Sequence, residues 1–145
     1  MPLIKIKKLS IEATIPSFAT QGDAGMDLFS IDNISIEPGK TLLVKTGLAL
    51  EIPYGYEGQI RSKSGIAIKN EVHVLNSPGT IDSGYRGEVA VILHNSSLDK
   101  TYIAPAKSKI AQLVIKPIET DITLLEVDLL TDTERGTGGF GSTGL

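Results

Sequence analysis

Asn76-Ser77-Pro78-Gly79-Thr80-Ile81-Asp82-Ser83-Gly84-Tyr85-Arg86-Gly87-Glu88 runs directly into Val89-Ala90-Val91-Ile92-Leu93. Pro78-Gly79 and Ser83-Gly84 are turn pairs, and the apolar run after them reads as a buried strand. The stretch therefore predicts a turn-rich hairpin presenting a carboxamide (Asn76), a carboxylate (Asp82) and a ring (Tyr85) close together. Exposed backbone in such a hairpin can hydrogen-bond a flat polar ligand while the ring packs on its apolar side. The same residues also fit an ordinary surface hairpin whose Asn76 and Asp82 only satisfy turn geometry.

On either side of this stretch the chain reads as short strands divided by turns. Leu3-Ile4-Lys5-Ile6-Lys7 alternates apolar and basic, and Met26-Asp27-Leu28-Phe29 is a short apolar strand interrupted by a charge. Ile34-Ser35-Ile36 leads to the turn Glu37-Pro38-Gly39-Lys40, and Thr41 to Leu50 reads as a strand containing Gly47. Gln59-Ile60-Arg61 follows the turn cluster Pro53 to Gly58, Lys107 to Ile115 is another strand, and Ile122 to Leu130 reads as a final one. Turns at intervals of roughly ten residues predict an all-β sandwich or barrel. One short helix is expected over Lys63 to Asn70, with Ser64 as its N-cap.

Composition narrows the chemistry. The chain has 145 residues, enough for one domain with a real core, and no cysteine. Disulfides, zinc-thiolate sites and thiol nucleophiles are therefore excluded. Two histidines, His73 and His94, are too few for an all-histidine site with three or four ligands. A net charge of −3 argues against general nucleic-acid affinity, so a polyanionic substrate must meet a local cation cluster or a metal ion. No apolar run approaches membrane-spanning length, and the start, MPLIKIKK, lacks a signal-peptide core. A soluble cytoplasmic protein is expected.

Three further segments carry polar residues in unusual places. Asp27 sits inside an apolar strand, where it could cap backbone amides or do chemistry. Lys63-Ser64-Gly65 opens the expected helix, which is either a plain capped turn or an anion site. Gln112 interrupts the apolar run Ile110 to Ile115, and a buried glutamine needs partners or costs about 1–3 kcal/mol. The ending, Arg135-Gly136-Thr137-Gly138-Gly139-Phe140-Gly141-Ser142-Thr143-Gly144, is glycine-rich and cannot order itself. It reads as a mobile tail with a lone ring, and it is not a Walker A loop.

Taken together and in order, Ala24 to Leu28, Lys63 to Ala67, Asn76 to Glu88, Lys109 to Leu113 and Arg135 to Gly144 resemble the five motifs of the trimeric dUTP pyrophosphatases, the dUTPases. The resemblance spans nearly the whole chain, and the third and fifth motifs are its specific part. It implies a jelly-roll-like subunit over residues 1–134, a C-terminal lid over 135–145, and a homotrimer with active sites shared between subunits. It implies hydrolysis of dUTP to dUMP and pyrophosphate with Mg2+, lowering dUTP and supplying dUMP for thymidylate synthesis. Carried over by motif position, Asp82 would activate the attacking water and contact the 3′-hydroxyl, and Tyr85 would pack on the deoxyribose. Asn76, with the backbone of Gly79, Thr80 and Ile81, would read the uracil edge. Lys63, Ser64, Gly65 and Gln112 would hold phosphates and an ordered water, and Asp27 would sit near the hydrated metal. Arg135 would meet the γ-phosphate and Phe140 would stack on uracil, with Gly141, Ser142 and Thr143 wrapping the end of the nucleotide.

The sequence departs from the family pattern twice. Lys63 and Lys109 stand where arginines are usual, keeping charge but losing the planar fork; Arg61 is a candidate to compensate. Two alternatives stay open. A dCTP deaminase of the same fold needs a glutamate where this chain has Ile92, and a catalytically silent binding protein should have lost Asp82, Tyr85 or the tail.

Overall fold

The computed structural model describes residues 2–140 and Ser142. Its first sheet is antiparallel and contains β1 (Lys5–Lys8), β4 (Thr41–Glu51), β8 (Glu88–Asn95) and β6 (Val72–Val74), in the order β1-β4-β8-β6. The second contains β2 (Met26–Phe29), β10 (Lys109–Pro117), β5 (Tyr56–Arg61) and β7 (Gly79–Ile81), in the order β2-β10-β5-β7. A two-stranded ribbon pairs β3 (Ile34–Ile36) with β9 (Tyr102–Ala104). The one helix among the described residues, α1 (Ser64–Asn70), links β5 to β6. This is the expected all-β, jelly-roll-like sandwich.

Alternation builds the core. In β8 Val89, Val91 and Leu93 point inward, while Glu88, Ala90, Ile92 and His94 are only half-buried. The run Val89 to Leu93 is thus a one-sided strand, not one buried on both faces. Its inward residues join Val44, Leu48, Leu50, Val72 and Val74 from the same sheet, and meet Leu28, Ile60, Ile81, Ile110 and Leu113 from the other. β4 carries a bulge between Lys45 and Leu48, where Gly47 turns at φ +68°. A Cβ at Gly47 would lie only 3.0 Å from Ala13 and Ile31 side-chain carbons. Glycine is therefore required both for the backbone angle and for the approach.

Three expectations change. The Asn76–Glu88 stretch is not a hairpin, because β7 pairs with β5 in one sheet and β8 pairs with β4 and β6 in the other. Residues 82–87 instead form a corner carrying the chain between sheets, and turn chemistry cannot distinguish the two. Lys63, extended at φ −95° and ψ 125°, is the N-cap of α1; Ser64 lies inside the helix and no side chain caps it. The apolar run Ile122 to Leu130 forms no strand, and Leu124, Leu125, Leu129 and Leu130 are exposed. β6 and β9, three residues each, were not expected. No helix among the described residues is long and apolar enough to cross a membrane.

Candidate active site

The singled-out residues fall into two clefts and a tail. The first cleft, of about 400 Å³, is lined by Asp23, Gly25, Asp27, Lys63, Ser64, Gly65, Lys109 and Gln112. Its floor follows from the strand order. β10 is central, and Gln112 lies opposite Asp27 on β2 and opposite Arg61 on β5. The Gln112 side chain donates from Nε2 to the Ser62 carbonyl at 2.9 Å, so it is partnered and ties β10 to the entry of α1. Any side chain at position 25 would overlap the Gln112 carboxamide, which accounts for Gly25.

Asp27 is the electrostatic centre of this cleft. Lys63 Nζ pairs with its Oδ1, and Lys109 Nζ lies 2.8 Å from its Oδ2. Burial opposes ionisation of Asp27, but hydrogen bonds from Lys109 and Lys63, together with their charges, outweigh it. The carboxyl is held below its ordinary range. Asp27 therefore answers two lysines and caps no backbone amide among the described residues. Lys109, a departure from the family pattern, is part of the cluster. Arg61 is not: its guanidinium donates to Gln59 Oε1 at 3.0 Å from Nε and 2.6 Å from Nη2.

The second cleft, of about 370 Å³, is lined by Asn76, Gly79, Thr80, Ile81, Asp82 and Tyr85, with Lys45, Glu88, Ala90 and Ile92. Gly79 is buried, and a Cβ there would lie 3.3 Å from Asn76 Nδ2 and 3.4 Å from Ile60 Cβ. That close approach sets the Asn76 carboxamide beside the β7 backbone. The corner then closes with Tyr85 N–H donating to the Asp82 carbonyl at 3.1 Å. The Tyr85 hydroxyl donates to the Glu88 carbonyl at 3.0 Å, and its ring occupies the space that a side chain at Gly87 would need. The ring is thereby fixed from both ends yet remains 46 % exposed. Asp82 is exposed, with no side-chain hydrogen bond among the described residues.

The described residues of the tail line neither cleft. Arg135 Nε donates to the Gly138 carbonyl at 2.9 Å, Ser142 N–H donates to the Gly139 carbonyl at 3.0 Å, and the Phe140 ring is fully exposed. Gly141 and Thr143 lie outside the described residues. Asp23, Lys45 and Glu88 line the clefts without having been singled out. Asp23 closes a turn by accepting the Thr20 N–H at 2.8 Å, a signal that sequence alone does not separate from any loop aspartate.

The sequence profile of the dUTPase family matches residues 11–144. A deoxyuridine 5′-triphosphate nucleotidohydrolase of Clostridioides difficile is 53 % identical over 141 residues, 97 % of each chain. Among solved structures, the Staphylococcus bacteriophage 80alpha dUTPase with dUpNHpp superposes with a TM-score of 0.90 at 31 % identity, covering 99 % of both chains. The D95N dUTPase of phage phi11 of S. aureus, described with a structural Mg(II) ion, superposes with a TM-score of 0.80 at 29 % identity, covering 88 % of this chain and 97 % of its own.

Proposed function

The chain belongs to the dUTPase family, and we propose how its residues carry out the hydrolysis of dUTP to dUMP and pyrophosphate. The observation that carries the reading is the separation of two functions into two clefts. The Asp82 cleft offers a free carboxylate beside a fixed ring and an exposed strand backbone, which suits a nucleoside. The Asp27 cleft offers two lysines, the start of α1 and a positioned carboxamide, which suits a polyphosphate.

Asp82 is the general base. Exposed and unpaired among the described residues, it can take a proton from a water directed at the α-phosphorus and accept from the 3′-hydroxyl. Tyr85 closes the 2′ face of the sugar, while Asn76 and the backbone of Gly79, Thr80 and Ile81 read uracil. Lys63, Ser64, Gly65 and Gln112 hold phosphate oxygens, so the reaction runs on positioning and charge neutralisation without a covalent nucleophile. Ile92 lines the same cleft as Asp82, and its apolar side chain offers no acid for deamination.

Mg2+ fits this chemistry as an ion carried mainly by the triphosphate. No group of three or more His, Asp or Glu converges among the described residues, while Asp27 keeps lone pairs with which to accept from a metal-bound water. Bound there, the ion supplies Lewis-acid neutralisation of the phosphates.

A site spanning both clefts is completed between subunits of a homotrimer, in the cytoplasm. The exposed aliphatic run Ile122 to Leu130 supports this, since so much apolar surface needs a second copy to cover it. Residues 135–145 then serve as a lid, bringing Arg135 to the γ-phosphate and Phe140 to uracil, with Gly141, Ser142 and Thr143 along the chain's end. The test uses two inactive chains, one truncated after Glu134 and one carrying Asp82→Asn. Co-refolded mixed trimers should regain pyrophosphate release from dUTP, because a truncated chain keeps Asp82 and can receive its neighbour's tail. Mixed trimers verified by mass but no more active than either parent would show that each tail serves its own subunit.

A further inference from the structure

We propose that His73 and His94 form a two-imidazole binding site for a divalent transition-metal ion such as Zn2+ or Cu2+. They are the chain's two histidines, and they stand directly opposite each other on β6 and β8. Residues in that relation share one face of a sheet with their Cβ atoms about 4.5–5.5 Å apart. Both are half-buried, on the face of β8 that carries Ala90 and Ile92. The rings meet edge to face at 72°, with centroids 5.5 Å apart.

That spacing is close to what ligation demands. With metal–nitrogen bonds of about 2.0–2.1 Å and tetrahedral angles, the centres of two imidazoles on one ion lie about 5 Å apart. Ligation asks that the rings turn about their side-chain bonds until both Nε2 atoms meet at one point. The remote nitrogens are already engaged. His94 Nδ1 lies 3.0 Å from Thr41 Oγ1, and His73 Nδ1 lies 3.4 Å from Ser96 Oγ. A hydroxyl that accepts from Nδ1–H fixes the tautomer whose lone pair is on Nε2, the arrangement found around metal-ligating histidines.

The ion's other positions fall to water, since no third His, Asp or Glu gathers with the pair among the described residues. Imidazole nitrogen suits Zn2+, Ni2+ and Cu2+, whereas Mg2+ prefers oxygen. The site therefore selects against the cation that the reaction uses. Its consequence is mechanical. β6 is a three-residue edge strand between α1, which begins at the phosphate cleft, and Asn76 in the nucleoside cleft. An ion shared by His73 and His94 ties that edge to β8.

The experiment uses the full chain without an affinity tag, in millimolar Mg2+ to occupy oxygen sites. Zn2+ titrated by calorimetry should bind at one ion per chain. At a hundredfold excess over its Kd it should raise the thermal midpoint by about 5–10 °C. His73→Thr and His94→Thr, which keep a strand-forming side chain, should each weaken Zn2+ binding at least tenfold and abolish the shift. Both should still release pyrophosphate from dUTP, showing that they fold. Cu2+ on the wild-type chain should give an electron-paramagnetic spectrum split by two ring nitrogens. Unchanged Zn2+ affinity in either variant, or a Cu2+ spectrum without that nitrogen pair, overturns the proposal.

Discussion

Replacing Asp27 by Asn removes the charge on which Lys63 and Lys109 converge, and burial sets the size of the effect. The side-chain exposures are 12 % for Asp27, 27 % for Lys63 and 52 % for Lys109. Removing one partner of a fully buried pair costs about 3–5 kcal/mol, while an exposed pair contributes about 0–1 kcal/mol. Asp27 lies near the buried limit, but Lys109 can turn into water and Lys63 partly so, which places the loss at about 2 kcal/mol. For a chain of this size that is a fall in Tm of about 4–8 °C. The pH dependence has a definite sign. The folded carboxyl titrates below its unfolded value of about 3.9, so its contribution is complete above that pH and disappears as pH falls through the folded value. Urea unfolding of wild type and Asp27→Asn, followed by circular dichroism, should give stabilities separated by about 2 kcal/mol from neutral pH down to about pH 5 and converging at lower pH. A separation under about 0.5 kcal/mol at neutral pH, or one that survives undiminished in acid, would refute the double ion pair as a source of stability.

Asp82→Asn keeps size but cannot take a proton, so turnover should fall about 10²–10⁴-fold while binding of dUpNHpp stays near wild type; near-normal pyrophosphate release would remove Asp82 from the mechanism. Tyr85→Ala should narrow the dUTP-to-UTP ratio of kcat/KM by opening the 2′ face, and an unchanged ratio would place discrimination elsewhere. Gly47→Ala puts a side chain at φ +68° and within 3.0 Å of Ala13 and Ile31 carbons, and should cost about 2–3 kcal/mol in chemical denaturation. A loss below about 1 kcal/mol would mean that the β4 bulge relaxes around the methyl group.

Short apolar runs bounded by turn residues made most of the strands readable, because a strand buries apolar side chains whatever its partner. Partner choice itself was not readable. Ser83-Gly84 announces a reversal, but nothing local says that β7 pairs with β5 while β8 crosses to the other sheet. The apolar run Ile122 to Leu130 states that it must be covered and not by what, so it reads as a strand although no strand edge among the described residues receives it. Within the site, Gln112 was conspicuous as a polar residue in an apolar run, whereas its partner, the Ser62 carbonyl, leaves no trace in residue type. Lys109 joins Asp27 only because β10 runs beside β2, a long-range fact that the spacing of 82 residues conceals.

The charge inventory of the Asp27 cleft supports the proposal that the site is shared between chains. Asp23 and Asp27 balance Lys63 and Lys109, so the cleft is formally neutral. A triphosphate carrying up to about four negative charges needs compensation from outside that set, and the chain's overall charge of −3 supplies no long-range attraction. A divalent ion arriving with the substrate covers half of it. Arg135 is a cation whose side chain hydrogen-bonds only a backbone carbonyl among the described residues, and Phe140 is a fully exposed ring. In the proposed trimer, the clefts of a neighbouring copy would supply the partners that each of them lacks. The Lys63–Asp27–Lys109 cluster fits this arrangement. Its carboxylate keeps two ammonium groups together where they would otherwise repel. Because lysines bind as point charges and not as planar forks, phosphate oxygens can take over one ammonium without dismantling the contact made by the other.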